Sequence, residues 1–216
     1  MRPWLPALQA LCVNSPFSAG RDMRCASWRY FDVKALPTVE PAPILDEAAY
    51  ERMAHSLTTD GPLLDRKMIY WYSRPSEHCP TLEIRIADVN PDLEVVLLYA
   101  VLLRSLATTL LAEARRGHPW PDVDRPRLEK YHRSVATDGL RGWVLDPDAG
   151  MDVPADTALD RLARRSRPGL AAAGDEELAE RLLNRFRQRG TSADRQRLVY
   201  GRRQSFSDVV DWLAVP

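Results

Sequence analysis

The sequence has little cysteine, no excess of one charge and no long uninterrupted apolar run. Three cysteines, Cys12, Cys25 and Cys79, are odd in number and far apart. They form neither a disulfide framework nor a paired metal motif, and reduced thiols are expected. His55, His78, His118 and His132 add no ligand pair at zinc spacing. Thirty basic residues balance thirty acidic ones, which argues against attraction to nucleic acid or acidic membrane. No run reaches the about 20 apolar residues that span a bilayer. The first residues do not read as a secretory leader, because Pro3 and Pro6 interrupt them and Arg21, Asp22 and Arg24 follow too soon. A cytoplasmic location is the expectation, with neither nucleic acid nor membrane as partner.

What is present is enough apolar sequence, 45% of 216 residues, for a sizeable core. Leu5, Leu8 and Leu11 recur at helical spacing, with Pro6 in the first turn. Turn residues follow over 14–22. Cys25–Phe31 is short and aromatic and reads as a strand or the entry to one. Pro37, Pro41 and Pro43 mark a surface segment, and Asp46 is placed to cap a helix reaching about Thr58, with Ala49 or Tyr50, Met53 and Leu57 inward. Met68–Tyr72 and Thr81–Ile86 read as two further strands. Asp92–Arg115 reads as a buried helix, apolar on more than one face. Helices are then expected over Arg125–Asp138, Ala155–Leu170, Asp175–Arg189, Ser192–Tyr200 and Ser205–Leu213, separated by Gly139, Gly142, Gly150 and Gly190.

Along the strand Thr81–Ile86, side chains alternate faces. Thr81, Glu83 and Arg85 share one face, and Leu82, Ile84 and Ile86 the other. Glu83 and Arg85 are then about 7 Å apart on a charged face. One can hold a metal ion while the other clamps a phosphate oxygen. Arg74 lies in the preceding segment, and alternation at Ser27-Trp28-Arg29 points Ser27 and Arg29 the same way. Arg29, Arg74 and Arg85 are expected to converge on one groove, because a guanidinium fork suits carboxylate and phosphate.

These segments resemble a known family. Asn14-Ser15-Pro16-Phe17, Gly20-Arg21-Asp22 and Ala26-Ser27-Trp28-Arg29 resemble its pattern "NSPF…GRDTGFASYR". Trp71-Tyr72-Ser73-Arg74-Pro75-Ser76 resembles "WDVRPS", and Pro80 to Val89 resembles "PTLEVRVCDV". Gly139-Leu140-Arg141-Gly142 with Asp146-Pro147, and Gly190-Thr191 with Arg195-Gln196-Arg197, resemble its later elements. The chain is identified as resembling the C-terminal half of carboxylate–amine ligases of the glutamate–cysteine ligase type, in the glutamine synthetase-like superfamily.

The resemblance implies an α+β fold: a partial antiparallel sheet of the catalytic domain over 1–115, then a helical region over 116–216. It implies ATP and Mg²⁺ as cofactors, with glutamate and an amine such as cysteine as substrates. By it, Glu83 is a metal ligand, Arg85 and Arg74 are catalytic, and Arg29, Arg74 and Ser27 bind the nucleotide. The reaction would be phosphorylation of a carboxylate to an acyl phosphate, then amide formation. The chain departs from the family by lacking the upstream acidic strands. It also carries Met23 and Arg24 in place of Thr-Gly, and Tyr72 in place of an acid. The implied partner is a polypeptide carrying the N-terminal half, or a second copy. Split ligase, truncated product and inactive binding or assembly subunit all stay open at this point.

Overall fold

The computed structural model describes residues 1–214. Helix accounts for 59% of the residues, and the strands form three separate two-stranded antiparallel sheets, an α+β architecture. The expected partial sheet is therefore three hairpins rather than one surface.

Helix α1 (Leu5–Leu11) is buried on every side, which explains why Ala7 and Ala10, off the expected stripe of Leu5, Leu8 and Leu11, are also apolar. It lies against α5 (Arg125–Asp138) and α6 (Ala155–Arg165), with α4 (Leu93–Arg115) alongside. Leu8, Leu11, Leu98, Leu102, Leu106, Leu128, Val135 and Leu162 fill one continuous core. That core runs across the boundary expected near residue 115. Helix α7 (Arg167–Ala173) crosses α4 so closely that Gly169 has no room for a side chain: a Cβ would sit 2.1 Å from the Ser105 carbonyl oxygen. Helices α8 (Glu176–Arg189), α9 (Ser192–Arg203) and α10 (Phe206–Ala214) follow in the described residues.

Capping set the helix starts where the sequence suggested. The carboxylates of Asp46, Asp92 and Asp124 accept from the N–H groups of Ala49, Glu94 and Arg127 at the heads of α3 (Glu47–Thr59), α4 and α5. On α3, the fully buried residue is Ala54, while Met53 is exposed. The expected helix over Ala155–Leu170 breaks at Ser166, because Pro168 follows in the first turn of α7.

Two strand expectations are corrected. Trp28–Asp32 is a helix, α2, whose first turn is capped by Ser27. Residues 66–68 form a 3₁₀ turn, and 69–72 run extended outside the strands, touching the end of the strand Leu82–Ile84 only where the Tyr72 carbonyl accepts from the Arg85 N–H at 3.0 Å. There the N–H groups of Tyr70 and Tyr72 donate to Thr38 Oγ1 (2.8 Å) and to the Glu40 carbonyl (2.9 Å). The strands that do form are β1 (Phe17–Ser18) with β2 (Arg21–Asp22), β3 (Ser73–Pro75) with β4 (Leu82–Ile84), and β5 (Trp143–Asp146) with β6 (Met151–Pro154).

A third correction concerns α4. At 23 residues it is long and apolar enough, by length and composition, to cross a bilayer. Arg104 lies within it, and one side is buried on α6, α7 and α8. The other side exposes Leu93, Val96, Leu97 and Leu111.

Candidate functional site

The β3–β4 hairpin sets the site. Its register places Arg74 opposite Glu83. Arg74 Nη2 reaches Glu83 Oε2 at 2.9 Å, and Arg85 Nη2 reaches Glu83 Oε1 at 2.5 Å. Glu83 thus holds one guanidinium on each carboxylate oxygen. Arg74 is 3% exposed and takes a second carboxylate, Glu77, at 3.3 Å; Glu77 also meets Arg66 at 3.1 Å. Burying a guanidinium is costly unless it is paired and hydrogen-bonded, and these carboxylates supply the pairing.

Arg29 enters from α2. Its Nη2 donates to the carbonyl oxygen of Arg85 at 3.2 Å. The guanidinium of Arg85 lies 5.2 Å from the centre of the Tyr70 ring. Arg29, Arg74, Glu83 and Arg85 are therefore neighbours, but the arginines divide between two cavities instead of sharing one groove, and Glu83 joins Arg74 to Arg85 without lining either. The first, about 310 Å³, is lined by Arg29, Arg85, Tyr70, Tyr72 and Gln9. The second, about 570 Å³, is lined by Arg66, Arg74, Tyr50, Trp71 and Glu77.

Expected alternation on β4 holds only in part. Ile86 is buried, whereas Leu82 is exposed and Glu83 and Ile84 are half-buried. Three residues are too few to hold one face against the core. Ser27 lines neither cavity. It is 1% exposed, caps α2, and its hydroxyl donates to Asp88 at 2.8 Å.

Tyr30 and Tyr72 close the inner wall of the first cavity. Both hydroxyls donate to the carboxylate of Glu129, which also pairs with Lys34 at 2.6 Å. Burial, with Glu129 beside them, pushes both phenols above their ordinary range and keeps them protonated. Tyr72 replaces the family's acid with a buried hydroxyl. Beneath it, His132 Nδ1 lies 2.5 Å from Gln9 Oε1, so this nitrogen carries the proton. Desolvation, aided by the charge of Lys34, lowers the His132 pKa to about 3.

The residues do not by themselves fit a magnesium site. Both oxygens of Glu83 are engaged by arginines. Among the described residues no group of three His, Cys, Asp or Glu side chains could hold a metal ion. Four guanidinium groups, Arg29, Arg66, Arg74 and Arg85, against three carboxylates, Glu51, Glu77 and Glu83, instead suit an anion, phosphate or carboxylate, with aromatic walls for the body that carries it. Sequence reasoning missed Glu77 and Glu129, which lie in unpatterned polar stretches, and gave no role to Asp88.

A family model described as glutamate-cysteine ligase family 2 matches residues 1–211. Among similar proteins, one from Salinispora tropica named "Putative glutamate--cysteine ligase 2" is 38% identical over 203 residues, covering 94% of this chain and 54% of that protein. "Putative glutamate--cysteine ligase 2-1" of Saccharopolyspora erythraea is 38% identical over 216 residues, covering 100% of this chain and 57% of its own length. "Putative glutamate--cysteine ligase 2-2" of Mycobacterium sp. strain KMS is 36% identical, covering 99% and 59%. The chain spans little more than half the length of these relatives.

Proposed function

The chain belongs to glutamate-cysteine ligase family 2, and from that premise we propose that it supplies the C-terminal half of an ATP-dependent carboxylate–amine ligase. One observation carries this reading: the guanidinium groups of Arg74 and Arg85 share Glu83 between two cavities, with Arg29 fixed on the Arg85 backbone. Phosphoryl transfer to a carboxylate needs mostly positioning and neutralisation of charge. In this reading the larger cavity, with Arg74, Arg66 and Trp71, receives the nucleotide. The smaller one, with Arg29 and Arg85, receives the amino acid whose carboxylate is activated, glutamate by family, and a second amino acid such as cysteine attacks. ATP binding would release Glu83 from its arginines. The Mg²⁺ that would neutralise phosphate charge when bound needs more acids than the described residues bring together, so we assign those acids to a partner polypeptide carrying the N-terminal half. A cytoplasmic setting is part of the proposal, consistent with three free cysteines.

A second reading has its own support. The full pairing of Glu83, and the missing acidic cluster among the described residues, suit an inactive binding or assembly subunit. The test is ADP formation from ATP, glutamate and cysteine, with Mg²⁺. The chain alone is expected to be silent. Added to the separately expressed N-terminal half of a relative, it should restore turnover, and Glu83→Ala should abolish it. Silence in the mixture, with the two polypeptides shown to associate, favours the assembly reading.

A further inference from the structure

Asp88 is a buried carboxylate, 7% exposed, and among the described residues no cation pairs with it. Such a group is costly to bury, and an apolar side chain would fill the space more cheaply. Three hydrogen bonds hold it. The Asn14 N–H and the Ser15 hydroxyl donate to Oδ2, and the Ser27 hydroxyl donates to Oδ1, each at 2.8 Å.

These bonds have a direction. A carboxylate only accepts, and a hydroxyl has one proton to give. Both serine hydroxyls are therefore turned toward Asp88, and their lone pairs face the head of α2. Ser15 Oγ accepts from the Arg29 N–H at 3.0 Å, and Ser27 Oγ accepts from the Tyr30 N–H at 3.4 Å. These are two of the N–H groups that a helix start leaves unsatisfied. The first turn of α2 is thus set by hydroxyls that Asp88 sets. Arg29 leaves that turn and donates to the carbonyl of Arg85, three residues before Asp88. The result is a closed ring: Arg85, Asp88, the two serines, the head of α2, Arg29, and back to Arg85. Helix α9 braces it from outside, since Gln196 Nε2 donates to the backbone and side-chain oxygens of Asn14, both at 2.7 Å.

We propose that Asp88 is a positioning residue, whose hydrogen bonds to Ser15 and Ser27 fix Arg29 against Arg85 in the site assigned above to the carboxylate substrate. Calling that place a substrate site rests on the ligase reading. The fixing of Arg29 is read without any turnover, so loss of the one and loss of the other are separate outcomes.

The test follows the Nε–Hε signals of Arg29 and Arg85 by nuclear magnetic resonance in the full chain. Asp88→Asn replaces one acceptor oxygen by a donor. It should displace or broaden the Arg29 signal and shift that of Arg85. Asp208→Asn is the control, because Asp208 is held by Arg203 at 2.7 and 2.8 Å, away from the ring. It should lower stability and leave both signals in place. Should Asp88→Asn fail to fold, Ser15→Ala and Ser27→Ala each cut one arm while keeping the carboxylate, and each should displace Arg29. Unmoved Arg29 and Arg85 signals in every folded variant would overturn the role. So would equal displacement in the Asp208 control.

Discussion

Arg24 shows what a single substitution in a motif costs. It stands where the family has glycine, and its backbone keeps the left-handed conformation, φ 55°, that favours glycine. The turn is held by the Arg24 N–H, which donates to Asp22 Oδ1 at 2.8 Å. An L side chain in this region costs roughly 1–2 kcal/mol, part of which glycine returns through the freedom of its unfolded chain. Arg24→Gly is expected to stabilise the protein by about 0.5–1 kcal/mol, read from the urea midpoint. No change, or a loss, would mean that the turn is held by its neighbours alone. His132 makes a second residue-level prediction. Its folded pKa, about 3, lies below the unfolded value of 6.5. The unfolded chain therefore binds the extra proton first as pH falls. Stability from the neutral imidazole is complete above pH 6.5 and declines toward pH 3, with a limiting slope of about 1.4 kcal/mol per unit. Denaturant titrations at pH 7.5 and 5 should differ less for His132→Gln than for wild type.

At the scale of elements, α7 on α4 is the least tolerant contact. Gly169→Ala would drive a Cβ onto the Ser105 carbonyl, and the Gly169 N–H also donates to Thr109 Oγ1 at 3.1 Å. A loss of about 1–3 kcal/mol is expected from overpacking, measured by denaturant unfolding. A neutral result would show that α7 slides freely. How much of this level was legible follows from the same physics. Asp46, Asp92 and Asp124 mark helix starts by a local rule, and those starts were read correctly. Trp28-Arg29-Tyr30-Phe31 carries aromatic strand propensity, yet Ser27 and its distant partner Asp88 make it a helix. Propensity lost there to a contact between residues 61 positions apart. The run Met68–Tyr72 failed likewise, since its N–H groups find Thr38 and Glu40 instead of a strand. The hairpin β5–β6 was missed although its turn was visible: Asp146-Pro147-Asp148-Ala149-Gly150 separates two short apolar pairs, and Gly150 takes φ 68°. In the site, the neighbourhood of Glu83, Arg85, Arg74 and Arg29 was legible. The division into two cavities was not, because it depends on Tyr70, Tyr72 and Trp71 packing from a segment without regular structure.

The whole molecule leaves more apolar surface open than its core requires. On α4, Leu93 is 80% exposed and Leu111 52%, with Val96 and Leu97 between them, so one long side of the helix stays open among the described residues. Val89, just before it, is 90% exposed. The outer edge of β4 adds to this. The Arg85 N–H donates to the Tyr72 carbonyl and the Ser76 N–H to the Thr81 carbonyl, so the strand's alternate residues, Leu82 and Ile84, turn their backbone groups away from β3. An open edge of this kind pairs readily with another strand. Apolar patches of more than a few hundred Å² mark interfaces, and a net charge of zero adds little repulsion between copies. The chain by itself is therefore expected to associate at micromolar concentration and to bind a hydrophobic dye. Val96→Glu with Leu97→Glu should shift sedimentation toward monomer without loss of helical signal, since both side chains are exposed. Mixing with the N-terminal half of a relative should replace self-association by a defined heterodimer and suppress dye binding. A monodisperse wild-type monomer that ignores the dye would show that the outer face of α4 is ordinary surface, and would remove the physical reason for a partner.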